Sequence, residues 1–254
     1  VDRAADVSLK FQRAHEHIAQ LSEGITGFVA TEPFAVEESE EQGDLVYRVR
    51  VREAPPRELS LALGDAVHDA RSALDYLAWQ LVRAGGSTPC TSTYFPITRD
   101  EQTFMAKYRS DLRGATKEAL DAVRQLRPFG GGDDRFWRLH KLDIADKHHL
   151  LLAVGAAHQS VSTSIAPPGW PGDPFTLPLV PADRQYPLTD GSEVFRVMAA
   201  AREPGAPSGQ PSFTFEIAFS DDTQVVKGEP ILPTISDLIT GIEETVVPLK
   251  EFLQ

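Results

Sequence analysis

The amino-acid sequence predicts an α+β fold: a helical bundle with antiparallel β-strands, an N-terminal hairpin and C-terminal strands among them, and a C-terminal helix. Three observations carry this expectation. Apolar residues recur at helical spacing in several long segments. They alternate with period two between Phe34 and Arg52 and again after about residue 153. The strand patterns come from both sides of the helical block, so a strict βαβ alternation is absent.

Taken in order, Ser8 to Phe28 carries a helical stripe of Phe11, Ala14, Ile18, Leu21, Ile25 and Phe28, with Arg13, His15 and His17 expected at the surface. Phe34 to Arg52 reads as a hairpin turning at Gly43. Its second strand alternates Leu45, Tyr47, Val49 and Val51 with Val46, Arg48, Arg50 and Arg52. The arginine face is either an anion-binding stripe or the cross-strand partner of Glu37, Glu38 and Glu40, and the acidity of the first strand favours pairing.

Pro55 and Pro56 lead into the strongest pattern in the chain, Leu59 to Val82, where Leu63, Ala66, Val67, Ala70, Leu74, Leu77 and Leu81 form one face. Asp65, Asp69, Tyr76 and Gln80 mark its expected solvent sector, and Gly85-Gly86 ends it. A loop follows, with an extended piece at Tyr94 to Ile97. Short helices are expected at Asp100 to Tyr108 and Lys117 to Leu126, then the glycines Gly130 to Gly132. These lack the spacing and the Lys-Ser/Thr of a phosphate loop.

Asp133 to Leu152 reads as a second patterned helix, started by paired aspartates. Beyond it come strands at Val161 to Ile165, Glu193 to Ala199 and Ser212 to Ser220, with Gln224 to Lys227 as a further pairing segment. Between them lie a loop around Trp170 and the connection Gly205 to Pro211. A helix from Thr234 to Leu253, kinked at Pro248, closes the chain. One domain over residues 1–254 is expected: a helical core over about 8–152 with the hairpin, a strand-rich part over about 153–228, and the closing helix over about 234–253.

Composition narrows the function. The net charge of −12 argues against a general nucleic-acid surface, although a local basic groove would escape that argument. No run of about 18 apolar residues occurs, so no membrane partner is expected. One cysteine, Cys90, makes an internal disulfide impossible and favours a reducing, cytoplasmic setting. No cofactor is named by any motif, and a homodimer is compatible with the chain.

Chemistry-bearing residues concentrate on the two patterned helices. His68, Arg71 and Asp75 stand at i, i+3 and i+7, and His140, Asp143 and Lys147 repeat the spacing. Each line combines an imidazole, an acid and a cation within a mostly apolar surface. One reading is an acid–base site for metal-independent phosphodiester cleavage, which needs a base near the 2′-hydroxyl and a cation on the phosphate. His68 with Arg71, and His140 with Lys147, are such pairs. A second reading is a metal or small-molecule site, with His68, Asp75, His140 and Asp143 converging and Asp146, His148 and His149 further candidates. No HExxH or Glu-x-x-His pattern supports it, and no metal ligand is assigned. A third is structural: Arg71–Asp75 and Asp143–Lys147 are i, i+4 pairs that would interlock as a register-fixing network in a binding or scaffold protein. His140 is expected to be the freer histidine, beside a glycine loop that could move.

The segment HisAspAlaArgSerAlaLeuAspTyrLeu, residues 68–77, with AspLysHisHis at 146–149, resembles a group of uncharacterised bacterial proteins over the chain to about residue 150. The long helices also resemble, more loosely, HEPN-type helical bundles, many of them ribonucleases of toxin and defence systems. The signature there is an arginine, four to six residues, then a histidine. Arg135 to His140 fits it, at a frequency that composition alone produces; Arg71 to Tyr76 has the spacing but ends in tyrosine. The resemblance implies a nuclease or a degenerate relative.

Overall fold

The computed structural model describes residues 3–148, 153–165, 175–179, 189–199, 211–219 and 223–253. The chain is α+β, in the order α1 (Arg3–Val29), β1 (Phe34–Glu41), β2 (Asp44–Val51), α2 (Arg57–Ala84), α3 (Glu101–Asp111), α4 (Lys117–Leu126), α5 (Asp134–His148), β3 (Ala153–Ile165), β4 (Phe175–Leu179), β5 (Glu193–Val197), β6 (Pro211–Phe219) and α6 (Ile231–Val246). No helix among the described residues is long and apolar enough to cross a membrane. Trp170, His149, the expected end of α5 at Leu152 and most of the connection from Gly205 lie outside the described residues.

Local chemistry sets the boundaries. Asp100 caps α3 by accepting from the Thr103 backbone N–H at 2.8 Å, and Thr116 caps α4 by accepting from Ala119 at 3.2 Å. The β1–β2 turn puts Gln42 and Gly43 at φ of 53° and 92°, the paired left-handed geometry that a two-residue hairpin loop requires. Pro248 ends α6 two residues earlier, at Val246. Having no N–H for an α-helical bond, it leaves a 3-10 helix over Val247–Leu253 instead of a kinked α-helix. Gln224 to Lys227 forms a turn, not a strand, and Tyr94 to Ile97 joins no ladder: the short parallel bridge there pairs Thr98 with Phe129.

Two antiparallel three-stranded sheets form, with strand orders β1-β2-β5 and β4-β3-β6. Buried side chains of all six helices and of β6 make the main core. Tyr47, Val49 and Val194 make a second, smaller cluster beneath the first sheet. β6 serves both. Its Ile217 and Phe219 enter the main core, while Phe213 and Phe215 pack on the smaller one, with ring centroids 5.6 Å from Tyr47 and 5.5 Å from Phe34.

The arginine face of β2 is an ion-pair ladder. Arg48 contacts Glu41 (2.6 Å) and Glu193 (3.5 Å), and Arg50 contacts Glu37 (2.9 Å) and Asp190 (3.0 Å). Arg196 of β5 adds Glu193, Asp44 and Glu41. Pairing therefore prevails over an anion stripe. Of the acids expected from β1, Glu37 pairs with Arg50, and Glu41, Asp190 and Glu193 are further partners of the ladder.

The helix surroundings correct the sequence on two further points. His17, expected at the surface, is 8 % exposed and lies 3.4 Å from Asp69 of α2, because α1 packs against α2 along its length. The α2 sector expected in solvent faces the same neighbour. The Tyr76 hydroxyl donates to Asp6 at 3.0 Å, and Gln80 is buried. Of that sector Asp65 alone is fully exposed.

Phe34 joins the hairpin to the bundle, with its ring 6.1 Å from Phe28 of α1 as well as against Phe215. Phe34→Ala should cost about 2–3 kcal/mol, below the range for a fully buried phenylalanine because Phe34 is half-buried. Denaturant unfolding followed by circular dichroism checks this; an unchanged midpoint would show that the hairpin does not lean on the bundle.

Candidate functional site

α2 and α5 pack side by side, and Gly64 lies against the Asp146 side chain where they meet. A Cβ at that position would collide with the Asp146 carboxylate of α5. The contact brings the two expected triads together and divides them into an inner and an outer half.

The inner half binds a loop. Arg71 is 8 % exposed, and its Nη2 donates to Asp75 Oδ1 at 3.0 Å and to the Phe95 carbonyl at 3.2 Å. Asp75 Oδ1 accepts from the Phe95 backbone N–H at 3.0 Å. The pair thus satisfies both backbone groups of one residue. Phe95 then stacks on Phe136 of α5, with centroids 5.8 Å apart, and Trp79 Nε1 donates to the Thr93 carbonyl at 3.1 Å. No periodic pattern announced this role for residues 93–97, because loop backbone groups leave no mark in a hydrophobic periodicity. The extended piece at Tyr94 and the i, i+4 spacing of Arg71 and Asp75 were the only traces.

Burial works against both members of this pair. It pushes the Arg71 guanidinium below its usual range and the Asp75 carboxyl above its usual range, in each case outweighing the attraction of the partner. Arg71 Nη1 is buried without a hydrogen-bond partner.

The outer half is centred on Asp143, whose side chain is 4 % exposed. Asp143 Oδ1 lies 3.4 Å from His68 Nδ1, and Oδ2 accepts from Lys147 Nζ at 2.6 Å. A carboxylate only accepts, so Nδ1 of His68 carries the proton. In that tautomer Nε2 holds the lone pair to which Ser72 Oγ, 3.4 Å away, can donate. His68 and Lys147 are 58 % and 54 % exposed.

His140 occupies the space between the halves. Its ring lies 5.6 Å from that of Trp137, and its Nδ1 is buried with no hydrogen-bond partner. Burial, and then the nearby Arg71 cation, push its pKa down to about 4. His140 is, as expected, the histidine with fewer hydrogen-bond partners, since His68 meets both Asp143 and Ser72. It is however half-buried, whereas His68 is exposed. The glycine loop invoked to admit a ligand is tied down, Gly130 donating to the Thr98 carbonyl at 3.1 Å and Gly131 to Asp134 at 2.7 Å. His68 with Arg71 does not form the base-and-cation pair read from spacing; the cation beside His68 is Lys147, through Asp143.

Among the described residues no group of three or more His, Cys, Asp or Glu side chains is placed to hold a metal ion. The side chain of His148 lies outside the described residues.

Two predictions follow the inner half. Arg71→Ala leaves Asp75 with one backbone donor and should lower stability by about 2–4 kcal/mol, read as the midpoint of a urea melt; an unmoved midpoint would place the guanidinium in water. His140 has a folded pKa below its ordinary 6.5, so the stability held by the neutral ring is fully present above pH 6.5 and is lost as pH falls toward about 4. That loss is at most about 3 kcal/mol, less what solvent screening removes from an incompletely buried ring. His140→Phe should flatten this part of the stability–pH curve, and an identical curve for the variant would refute the assignment.

Comparison of the chain with protein-family models, with curated proteins and with solved structures finds no match in any of the three.

Proposed function

We propose that the outer half of the seam is a metal-independent acid–base site for phosphodiester cleavage, the chemistry of the HEPN-like reading. One observation supports it: an exposed imidazole, His68, sits on a buried carboxylate, Asp143, which also holds the exposed ammonium of Lys147. Asp143 fixes the tautomer and orientation of His68, which leaves the basic lone pair on Nε2, where the Ser72 hydroxyl at 3.4 Å has to give way to a substrate. In the proposed step Nε2 takes the proton of a ribose 2′-hydroxyl as its oxygen attacks the adjacent phosphorus, and the bond to the 5′-oxygen of the next nucleotide breaks, that oxygen taking a proton from water and leaving a 2′,3′-cyclic phosphate. Lys147 offsets the charge that builds on the phosphoryl oxygens. Arg71 and Asp75 act as positioning residues, holding the 93–97 loop against α2. His140, half-buried and with its pKa pushed down to about 4, has too low an affinity for a proton to be the base.

The second reading, a non-catalytic binding or scaffold protein, is favoured by the ion-pair ladder. The β2 arginines that would steer a polyanion are occupied by acids, and the net charge of −12 repels one.

Mixed-sequence RNA at low salt and neutral pH separates the two. Under the catalytic reading the wild type cleaves, His68→Ala loses about 100-fold or more, and its melting temperature stays within a few degrees. His140→Ala keeps cleavage. If the wild type leaves the RNA intact and His68→Ala only lowers the melting temperature, the seam is structural and the binding reading stands.

A further inference from the structure

Two buried nitrogens at the α2–α5 contact lack a hydrogen bond. Arg71, 8 % exposed, spends Nη2 on Asp75 and the Phe95 carbonyl, and its Nη1 is buried without an acceptor. Nδ1 of His140 is buried without a partner as well. Roughly nine in ten or more of such buried polar atoms are satisfied in folded proteins, so two at one helix contact require a physical account.

The packing brings the two groups together. Phe95, whose carbonyl holds Arg71, stacks on Phe136, and Phe136 stands one turn before His140 on the same face of α5. Arg71 is the charge that acts most strongly on the His140 ring, ahead of Asp143, Lys147 and Lys141. Asp143 in turn acts on Arg71 and Asp75 as well as on His140.

Charge selects what can fill the gap in this hydrogen bonding. A cation is repelled by Arg71, and among the described residues no group of three His, Cys, Asp or Glu side chains is placed to hold a metal. An anion meets the carboxylates of Asp75 and Asp143 and the lone pair of a neutral imidazole. A neutral molecule that accepts on one side and donates on the other satisfies both nitrogens, and in a close-packed helix contact it has to be very small. Water does both through one oxygen.

We propose that α2 and α5 share an internal water that accepts from Arg71 Nη1 and donates to His140 Nδ1. The guanidinium favours this arrangement, since it attracts a lone pair and repels the positive end of an N–H dipole. The proton of the neutral ring is then on Nε2. His140 and His68 are thus opposite tautomers, because His68 carries its proton on Nδ1, against Asp143. The water joins Asp75, Arg71 and His140 into one network across the contact, and displacing it would strand two buried nitrogens at once. It is independent of the proposed cleavage and holds equally if the outer half is only structural.

Two measurements on the full chain at pH 7 test the site. With nitrogen-15-labelled histidine, long-range proton–nitrogen correlation should show His140 with a bare Nδ1 and a protonated Nε2. Oxygen-17 relaxation dispersion counts waters held longer than the tumbling time. A chain of 254 residues holds roughly nine by the usual frequency, so the reading is a difference between variants. His140→Phe, which removes the acceptor, should lose about one long-lived water. His140→Gln, which keeps one, should retain it. His140→Leu repeats the measurement should the phenylalanine variant unfold. A proton on Nδ1, an unchanged dispersion amplitude in the apolar variants, or an equal loss in His140→Gln overturns the proposal.

Discussion

A guanidinium enclosed by helices is the constraint on which the rest of the arrangement depends. Arg71 cannot be left unpaired there, since an isolated buried charge would cost several kcal/mol. It is met by Asp75 one turn along and by the Phe95 carbonyl, and Asp75 in turn takes the Phe95 N–H. That reciprocal grip draws residues 93–97 onto α2, where Thr93, Phe95 and Ile97 become buried. Phe95 then offers α5 an aromatic face in Phe136's path. Burial disfavours both charged forms even with the partner present. The pair therefore contributes geometry more than stability: only one placement of the loop satisfies all three groups.

The outer half inherits its geometry from this lock. Once α5 is seated, with Gly64 admitting Asp146, Asp143 lies against α2 one turn before Arg71, beside His68. The same packing half-buries His140 and exposes His68. Two histidines with equivalent sequence settings thus acquire different characters. One is half-buried with its Nδ1 unpartnered; the other is oriented by a carboxylate and open to water. Similar His–carboxylate contacts tie α1 to α6 through His15 and Glu243 and α1 to α2 through His17 and Asp69. Polar contacts between helices are thus a general device in this bundle, which is why the α2–α5 contact needs a functional test before it is read as catalytic.

Charge is distributed with the same economy. The acid excess is not spread evenly but is set against individual arginines, on the β1–β2–β5 sheet above all. A polyanion approaching that sheet would meet neutralised side chains. At the seam mouth Lys147 keeps its ammonium half-exposed while pairing with Asp143.

Much of the architecture was legible in the chain itself. Helical and strand periods, prolines, glycines and capping residues mark α1 to α6 and the hairpin, because each depends on interactions within a few residues. The pairing of α2 with α5 was also legible, since two lines that each carry an acid and a cation at matching spacing have to be satisfied somewhere. What tertiary structure alone decided is which neighbour each polar face meets. His17, Tyr76 and Gln80 look like water-facing residues along their own helices and are covered because α1 lies on α2. Arg71 and Asp75 look like site residues and hold a loop. His140 looks free and has fewer partners than His68, but it is half-buried. Periodicity assigns a residue to a side of its helix, but burial and the partners that set its protonation come from chain segments far away in sequence, and no local pattern encodes those.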